Sequence, residues 1–314
     1  MDFRKLGPSG LSIAPLVLGG NVFGWTADRD TSFAILDAFL DAGFNAIDTA
    51  DVYSRFIPGN QGGESETILG EWMKARGNRA RVVLITKVGM DMGEGRKGLK
   101  PAYIARAVED SLRRLQSDYI DLYLSHAPDP EAPIAETLGA YQDLIAQGKI
   151  RAAGGSNYDA PGLKAALEAG DGKTAARYTV LQPHYNLVER KSYEGALEDF
   201  CAAEGLGVIP YFALASGFLT GKYRSEADLK KSMRGGGMKR LLDDRGFAIL
   251  AALDAVSSRH AATPAQIALA WLMARPSVTA PIASATSLAQ LHDIVKSAAL
   301  KLTAEDLRDL DATA

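Results

Sequence analysis

Short apolar runs alternate with longer segments of helical periodicity along nearly the whole chain. Each run is rich in Val, Ile, Leu and Tyr and is too short for a helix, which favours a strand. The segments between the runs place apolar residues three or four positions apart, as an amphipathic helix does. The pattern predicts eight strands, at 16–18, 44–47, 82–86, 119–124, 150–153, 178–181, 206–210 and 279–282.

Eight repeats of a strand followed by a helix indicate a closed barrel. Strand starts recur about every 30 residues, which is the size of one βα unit. Phe33, Leu36 and Leu40 mark one helix face ahead of a stop at Gly43, and Pro101 opens another helix. We therefore expect residues 1–314 to form a single domain, a (β/α)8 TIM barrel.

Two segments lie outside the regular repeat. Residues 3–13 form two short apolar runs around a Pro/Gly/Ser turn, which predicts a β-hairpin before the first barrel strand. Residues 223–244 form a long, charged, glycine-bearing loop after the seventh strand. A loop of that length is usually functional or disordered.

Composition narrows the classes of function. Lys and Arg number 35 against 38 Asp and Glu, so the chain lacks the basic excess that nucleic-acid binding needs. No apolar stretch approaches the roughly 20 residues that span a bilayer. Cys201 is the single cysteine, and the 4 histidines show no zinc-ligand spacing. We expect a soluble, cytoplasmic protein with no metal, nucleic-acid or membrane partner.

Polar residues follow most of the predicted strands. In a (β/α)8 barrel the carboxyl ends of the strands meet at one mouth, where the active site forms. The polar residues expected at this mouth are Asp48, Tyr53, Lys87, His126, Ser156, Asn157, Gln182 and Tyr211.

Tyr53 beside Lys87 is a candidate proton donor. A free phenol has a pKa of about 10, and a nearby ammonium lowers that pKa because it stabilises the phenolate. We expect Asp48 to hold Lys87 charged and oriented, and His126 to hydrogen-bond a substrate oxygen. For Asp48 and Lys87 taken alone, a plain ion pair at the barrel mouth is the alternative.

The sequence allows two other chemical interpretations. Asp48 and Asp51 could form the acid/base pair of a barrel hydrolase, as in glycosidases, although Tyr53 and Lys87 nearby argue against it. Residues 93–98 satisfy the G-x-G-x-x-G pattern of dinucleotide sites. They lie several residues beyond a strand, so a flexible loop explains them better.

Three segments resemble the aldo-keto reductase superfamily: 43–54 (GFNAIDTADVYS), 86–87 (TK) and 124–126 (LSH). The similarity runs from the N-terminal hairpin to the last helix and is closest to the bacterial, potassium-channel β-subunit-like branch. It implies a (β/α)8 barrel that reduces aldehydes or ketones to alcohols, or the reverse, by hydride transfer from NAD(P)H. It also implies roles for individual residues.

In that family pattern Tyr53 is the proton donor, Lys87 and Asp48 tune it, and His126 orients the carbonyl. The resemblance further implies that Tyr211 stacks on the nicotinamide ring and that segment 210–223 covers the pyrophosphate. The cofactor-binding residues expected on this basis are Ser156, Asn157, Gln182, Tyr211, Phe212, Leu214, Ser216, Leu219, Gly221, Lys222, Arg234, Ser284, Thr286 and Gln290.

The segment after the eighth strand departs from the family pattern. The family often carries a Lys or Arg there that binds the 2′-phosphate of NADPH, whereas 283–290 has neither. Hydroxyls of Ser284, Thr286 and Ser287 can still bind a phosphate. The charge can come from Arg234, Lys239 or Arg240 of the long loop, with a solvated loop as the alternative for these three residues. We therefore expect NADPH as the cofactor, with NADH possible.

Aromatic residues in the loops after strands one and two predict the substrate pocket. Phe23, Trp25 and Phe56 would wall a site for a small-molecule carbonyl or alcohol, with core packing as the alternative for each. A third functional class is a cofactor-sensing binding subunit, since potassium-channel β-subunits resemble this family. The oligomeric state stays open.

Overall fold

A β-hairpin precedes the barrel in the computed structural model, which describes residues 1–313. Strand β1 (Arg4–Lys5) pairs antiparallel with β2 (Ser12–Ile13). A short 3₁₀ helix (Gly7–Ser9) forms the turn, so the predicted hairpin is confirmed. Leu6 and Ile13 pack with apolar side chains of the barrel interior, and the hairpin therefore covers the amino-terminal end of the barrel.

Eight parallel strands form the barrel that the chain's periodicity predicted. They occur in sequence order around the sheet, and backbone N–H groups of Thr279 and Ile282 donate to Val208 and Pro210, which links the last two strands. The strands are β3 (Val17–Gly19), β4 (Ala46–Asp48), β5 (Val83–Val88), β6 (Ile120–Ser125), β7 (Ile150–Ser156), β8 (Tyr178–Gln182), β9 (Gly207–Val208) and β10 (Ile282–Ala283).

Alternation along the strands builds two apolar layers. Leu122 and Leu124 of β6 pack inside the barrel, while Tyr123 between them faces the helices. This period of two is the ordinary geometry of a strand. Because side chains fill the barrel interior, a ligand site is expected above the carboxyl ends of the strands.

Ten α-helices surround or follow the strands within residues 1–313. Asp28 caps the first of them through the N–H of Thr31, and Pro101 begins the third, as predicted. The helices are α1 (Arg29–Asp41), α2 (Glu64–Arg76), α3 (Pro101–Leu115), α4 (Ile134–Ala146), α5 (Ala160–Ala169), α6 (Ala196–Ala203), α7 (Asp244–His260), α8 (Pro264–Ala274), α9 (Leu288–Ile294) and α10 (Ala304–Asp311). In this described range none of them is long and apolar enough to cross a membrane.

The long loop after β9 has internal structure. It contains two 3₁₀ helices, Glu226–Lys231 and Gly235–Leu241. Ser225 and Asp228 form a capping box at the start of the first. These local hydrogen bonds stabilise the start of that 3₁₀ helix.

Candidate active site

A cavity of about 1000 Å³ opens at the carboxyl ends of the barrel strands. It is lined by residues at or after the ends of all eight barrel strands, and by the long loop. Its volume is at the upper end of small-molecule sites, so it can hold more than one small ligand. This is the mouth at which the polar residues were expected.

Asp48 and Lys87 form a buried ion pair at the base of the cavity. The Lys87 ammonium donates to Asp48 Oδ2 at 2.7 Å and to the carbonyl of Thr49 at 2.7 Å. Gln182 donates to the other Asp48 oxygen at 2.8 Å. Burial raises the pKa of Asp48 above its ordinary value, although the charge and hydrogen bond of Lys87 act to lower that pKa. Burial alone favours a neutral Lys87, but Asp48 and Tyr53 outweigh it and raise the pKa of this ammonium above its ordinary value.

The Tyr53 hydroxyl lies 3.4 Å from the Lys87 ammonium. Tyr53 follows β4 by five positions and faces the cavity. From the sequence we expected Lys87 to lower the pKa of the Tyr53 phenol below its ordinary value. In the protein without a ligand this expectation is wrong. Burial raises the pKa of Tyr53 above its ordinary value, while Lys87 acts in the opposite direction. At neutral pH the phenol therefore carries its proton.

His126 lies beside Tyr53 as a neutral imidazole. It follows the last residue of β6, and its ring meets the Tyr53 ring edge-on at 5.9 Å. Burial and the charge of Lys87 lower the pKa of His126 to about 3. A neutral imidazole can donate one hydrogen bond from one ring nitrogen. A protonated phenol and an imidazole donor side by side can hydrogen-bond one oxygen atom of a ligand.

The next strand ends form a hydrogen-bonded group on the other side of the cavity. Tyr211 donates to Asn157 at 2.7 Å, and Asn157 donates to the carbonyl of His126 at 2.8 Å. Ser156 donates to the carbonyl of Gln182 at 2.8 Å. All of these side chains line the cavity.

Tyr211 has one face of its ring covered. The His184 ring stacks on it at 5.2 Å and 15°. The sequence analysis gave Tyr211 a stacking role, and a ligand ring would have to use the other face. Tyr211 and its neighbour Phe212 both line the cavity. A ligand ring in the cavity can therefore stack on the other face of Tyr211.

The segment after β9 presents two backbone amides without protein acceptors. Within residues 1–313, the N–H groups of Leu214 and Ser216 make no hydrogen bond. Ala215 and Ser216 have left-handed φ angles of 47° and 54°. Such turns gather N–H groups into a concavity that suits an anion. Lys222 lines the same cavity and adds a cation, so this segment fits a pyrophosphate.

Two residues expected to contact a cofactor in this segment lie outside the cavity lining. Leu219 is fully buried in the apolar core, so its side chain stabilises the segment from behind. Gly221 packs near Pro264 and Arg224. Neither residue lines the cavity, so the prediction that Leu219 and Gly221 bind a cofactor is corrected.

The side chains after β10 hydrogen-bond to one another and to Asn21, which follows β3. Ser284 donates to Asn21 at 2.6 Å, and Thr286 donates to Gln290 through both its amide and its hydroxyl. Ser287 caps α9 through the N–H of Gln290. Segment 283–290 therefore offers hydroxyls and amides but no cation.

The loops after the first two barrel strands supply an aromatic wall. Trp25 and Phe56 line the cavity and meet edge-on at 5.2 Å. Phe23 does not line it. Its side chain is fully buried in the core, so the prediction that Phe23 walls the substrate pocket is wrong. Core packing was the alternative, and it holds for this residue.

Several cavity residues were missed by the sequence analysis. Met90 lies three positions beyond Lys87, where the rule of reading past each strand end would have found it. Asn21, Thr26 and Met233 also line the cavity. Their positions depend on how the loops fold, which periodicity does not determine.

Asp51 does not take part in the cavity. Its carboxylate is 2% exposed and is absent from the lining, whereas Asp48 is engaged by Lys87. Two carboxylates facing one substrate, which a glycosidase mechanism needs, are therefore not formed by this pair.

The comparison with known proteins now settles the family. The model described as "Aldo/keto reductase family" matches residues 15–314. The chain belongs to this family. An aldo/keto reductase is an oxidoreductase, and members generally use a nicotinamide cofactor.

Its relatives include both enzymes and a channel-associated protein. "Uncharacterized oxidoreductase YrpG" of Bacillus subtilis (strain 168) is 33% identical over 99% of this chain and 95% of that protein. "Aldo-keto reductase YhdN" of the same organism is 30% identical over 99% of this chain and 93% of the relative. "Probable voltage-gated potassium channel subunit beta" of Oryza sativa subsp. japonica is 32% identical over 95% and 91%, respectively. The resemblance seen in the motifs is thus confirmed over nearly the full chain.

Proposed function

We propose that this aldo/keto reductase is an NADPH-dependent carbonyl reductase that converts aldehydes or ketones to alcohols. One observation carries the proposal: a protonated Tyr53 hydroxyl faces the cavity, 3.4 Å from a buried ammonium that is itself paired with Asp48. A carbonyl oxygen that becomes an alkoxide needs a proton donor, and this phenol supplies one.

The proton transfer follows from the charges around Tyr53. When Tyr53 gives its proton to the carbonyl oxygen, a phenolate forms in a buried site. The Lys87 ammonium stabilises that anion, and Asp48 keeps Lys87 charged and in place. His126, neutral because of its lowered pKa, can donate a hydrogen bond to the same oxygen without competing for the proton.

The cavity residues fit a nicotinamide cofactor. When bound, it supplies the hydride to the carbonyl carbon. Ser156, Asn157 and Gln182 at successive strand ends would hold the carboxamide, with the ring against Tyr211. The free amides of Leu214 and Ser216 and the Lys222 ammonium would hold the pyrophosphate.

The choice between NADPH and NADH is part of the proposal. We propose that NADPH is preferred and that NADH is usable, because Thr286 and Gln290 offer hydrogen bonds but no charge to a 2′-phosphate. A cytoplasmic location is also proposed, since a single unpaired cysteine suits a reducing compartment.

The test is a panel of aldehydes, ketones, sugars and quinones assayed with NADPH and NADH in parallel. Loss of nicotinamide absorbance that depends on a carbonyl substrate supports the proposal. A protein that binds NADPH tightly, yet reduces none of the panel, would instead act as a cofactor-sensing subunit.

A further inference from the structure

His184 covers one face of the Tyr211 ring and does not itself line the cavity. The two residues form a parallel β-bridge just beyond the ends of β8 and β9. Paired residues of neighbouring strands project to the same side of a sheet, which explains why the two rings stack. Because His184 stays outside the cavity, it can act on a ligand ring only through Tyr211.

The imidazole of His184 is itself fixed by its neighbours. The Asn186 side-chain amide donates to the carbonyl of Phe212 at 2.9 Å and lies 3.4 Å from His184 Nε2. The Phe212 ring meets the imidazole edge-on at 5.4 Å. The hydroxyl of Ser192 donates to the His184 carbonyl at 2.9 Å. The imidazole is therefore a firm support for the Tyr211 ring.

This supporting ring is uncharged at neutral pH. Burial lowers the pKa of His184, outweighing the charge of Glu189, and the charge of Arg240 lowers that pKa further. An amide NH₂ group can only donate, so the contact with Asn186 also requires an Nε2 without a proton. The aromatic side chains that contact the imidazole carry no charge either. His184 therefore supports Tyr211 through its flat shape and not through its charge.

The hydrogen bonds of Tyr211 leave the plane of its ring undetermined. Its hydroxyl donates to Asn157 at 2.7 Å, and its backbone N–H donates to the carbonyl of Pro183 at 2.9 Å. The Cβ and the hydroxyl oxygen lie on one axis, about which the ring can turn without losing either bond. The stacked His184 ring, with its plane 15° from that of Tyr211, opposes this rotation.

We propose that His184 is a positioning residue for the cofactor, which fixes the plane of the Tyr211 ring and thereby the tilt of the nicotinamide ring. The inference rests on the proposed reductase function and adds a residue that no ligand touches. A ring stacked on Tyr211 takes the tilt of that ring. Its reacting carbon must point at a carbonyl held by Tyr53 and His126, so a small error in tilt slows hydride transfer.

The test compares a flat replacement of His184 with a branched one. His184→Leu has no flat face and should weaken NADP⁺ binding by about 3- to 10-fold, the usual contribution of one aromatic pair. His184→Phe keeps an aromatic face and should retain most of the wild-type affinity. Lys191→Leu changes an exposed side chain of the same loop, outside the cavity lining, and should have no effect.

A cofactor fragment separates ring positioning from a general folding effect. 2′,5′-ADP has the adenosine and phosphate groups but no nicotinamide ring, and its binding can be measured by calorimetry without turnover. His184→Leu should bind it within about twofold of wild type while binding NADP⁺ more weakly. If His184→Leu weakens both ligands equally or neither, or if His184→Phe behaves as His184→Leu does, the proposal is wrong.

The rate of hydride transfer gives a second measurement. Single-turnover reduction at saturating NADPH, repeated with NADPH deuterated at the transferred position, isolates this step from binding. His184→Leu should slow it by about tenfold or more, because the reacting carbon is misdirected, and His184→Phe should stay near wild type. An unchanged rate would overturn the positioning role. If NADP⁺ binding depends on His184 as expected but even wild type reduces no carbonyl, the proposed function fails and the support of Tyr211 by His184 stands.

Discussion

The buried pair of Asp48 and Lys87 controls the charge next to Tyr53. Lys87 is fully buried, and burial by itself would favour its neutral form. The carboxylate at 2.7 Å reverses that preference. Because the phenol is also buried, its pKa is high, and Lys87 is the group that lowers the cost of forming the phenolate.

Lys87→Met should therefore change the pH profile as well as the rate. In the oxidation direction Tyr53 must be a phenolate, so losing the neighbouring cation should move the acidic limb of the profile to higher pH. Asp48→Asn/Lys87→Met should move it less, because Asp48 raises the same pKa and is neutralised too. An unmoved limb on a chemistry-limited substrate would contradict the Tyr53–Lys87 coupling.

The same pair of variants reports on stability. Lys87→Met leaves a buried carboxylate without its partner, a change that typically costs about 3–5 kcal/mol. The double variant removes both charges and should recover much of that loss. Denaturant unfolding of both proteins distinguishes a catalytic effect from a folding defect.

Asp51 is a buried carboxylate that the proposed chemistry does not use. Both of its oxygens lack hydrogen-bond partners in the described residues. Burial, and then the charge of Glu66, raise its pKa well above the ordinary value of 3.8. A raised pKa in the folded state means that folding favours the protonated acid, and this stability is lost as the pH rises through the folded pKa.

Asp51→Asn should thus stabilise the protein near neutral pH. The amide stays neutral, so we expect a gain on the order of 1 kcal/mol or more at about pH 8 that shrinks toward about pH 4. Glu66→Gln is the matched control: Glu66 binds Arg114 at 2.7 Å and Thr86 at 2.6 Å, so its loss should destabilise. Urea midpoints across the pH range measure both; a loss of stability in Asp51→Asn at high pH would mean that the carboxylate has a stabilising partner.

For individual residues, the sequence predicted which side chains lie close together. It did not predict the protonation state of each side chain. Asp48, Lys87 and His126 lie at strand ends, whose position periodicity does predict. The pKa of Tyr53 depends on how completely the loops bury its side chain. The position of Phe23 in the core likewise depends on how its loop folds. Loop conformation decides both, and it has no periodic signal.

Among the elements, the two that contribute most to ligand choice are the long loop and the start of α9. The loop was expected to be functional or disordered, and its two 3₁₀ helices bring Arg234 to the cavity. At α9, the Ser287 side chain caps the helix by accepting a hydrogen bond from a backbone N–H of its first turn. Both arrangements depend on local hydrogen bonds rather than on patterning.

Ser287→Arg should strengthen the preference for NADPH. It adds a cation next to Thr286, and one charge-assisted bond to a 2′-phosphate is worth roughly 1.5–3 kcal/mol. It also removes the cap, at a cost of about 1 kcal/mol in stability. Ser287→Ala loses only the cap and should keep the wild-type ratio of NADPH to NADH dissociation constants. If wild type already excludes NADH and the arginine changes nothing, other residues select the phosphate.

The strands show what patterning can and cannot specify about the elements. All eight barrel strands occur near their predicted positions, yet β9 and β10 are only two residues each. Their predicted runs, 206–210 and 279–282, are apolar because they are buried, and only part of each run joins the ladder. An apolar run in the sequence predicts that a segment is buried. It does not predict how many of its residues pair with a neighbouring strand.

At the scale of the whole molecule, the residues that stabilise the barrel and the residues of the candidate active site lie in different parts of it. Its interior is apolar and is covered at the amino-terminal end by Leu6 and Ile13 of the hairpin, whereas the ion pair and the cavity lie at the carboxyl end. The segments that follow most of the eight strands contribute polar residues to the same cavity. Relatives with this barrel include a reductase and a channel subunit by name, so the site rather than the fold has to establish the activity.

The most direct test of that activity is the turnover of Tyr53→Phe. The substitution removes one hydroxyl and leaves the ring, the Asp48–Lys87 pair and the cofactor contacts in place. With a saturating aldehyde and NADPH, kcat should fall by about 10²- to 10⁴-fold, the usual contribution of a general acid, while the dissociation constant for NADPH stays close to wild type. A variant that reduces the aldehyde at a near wild-type rate would contradict the account, because the proton would then come from another group.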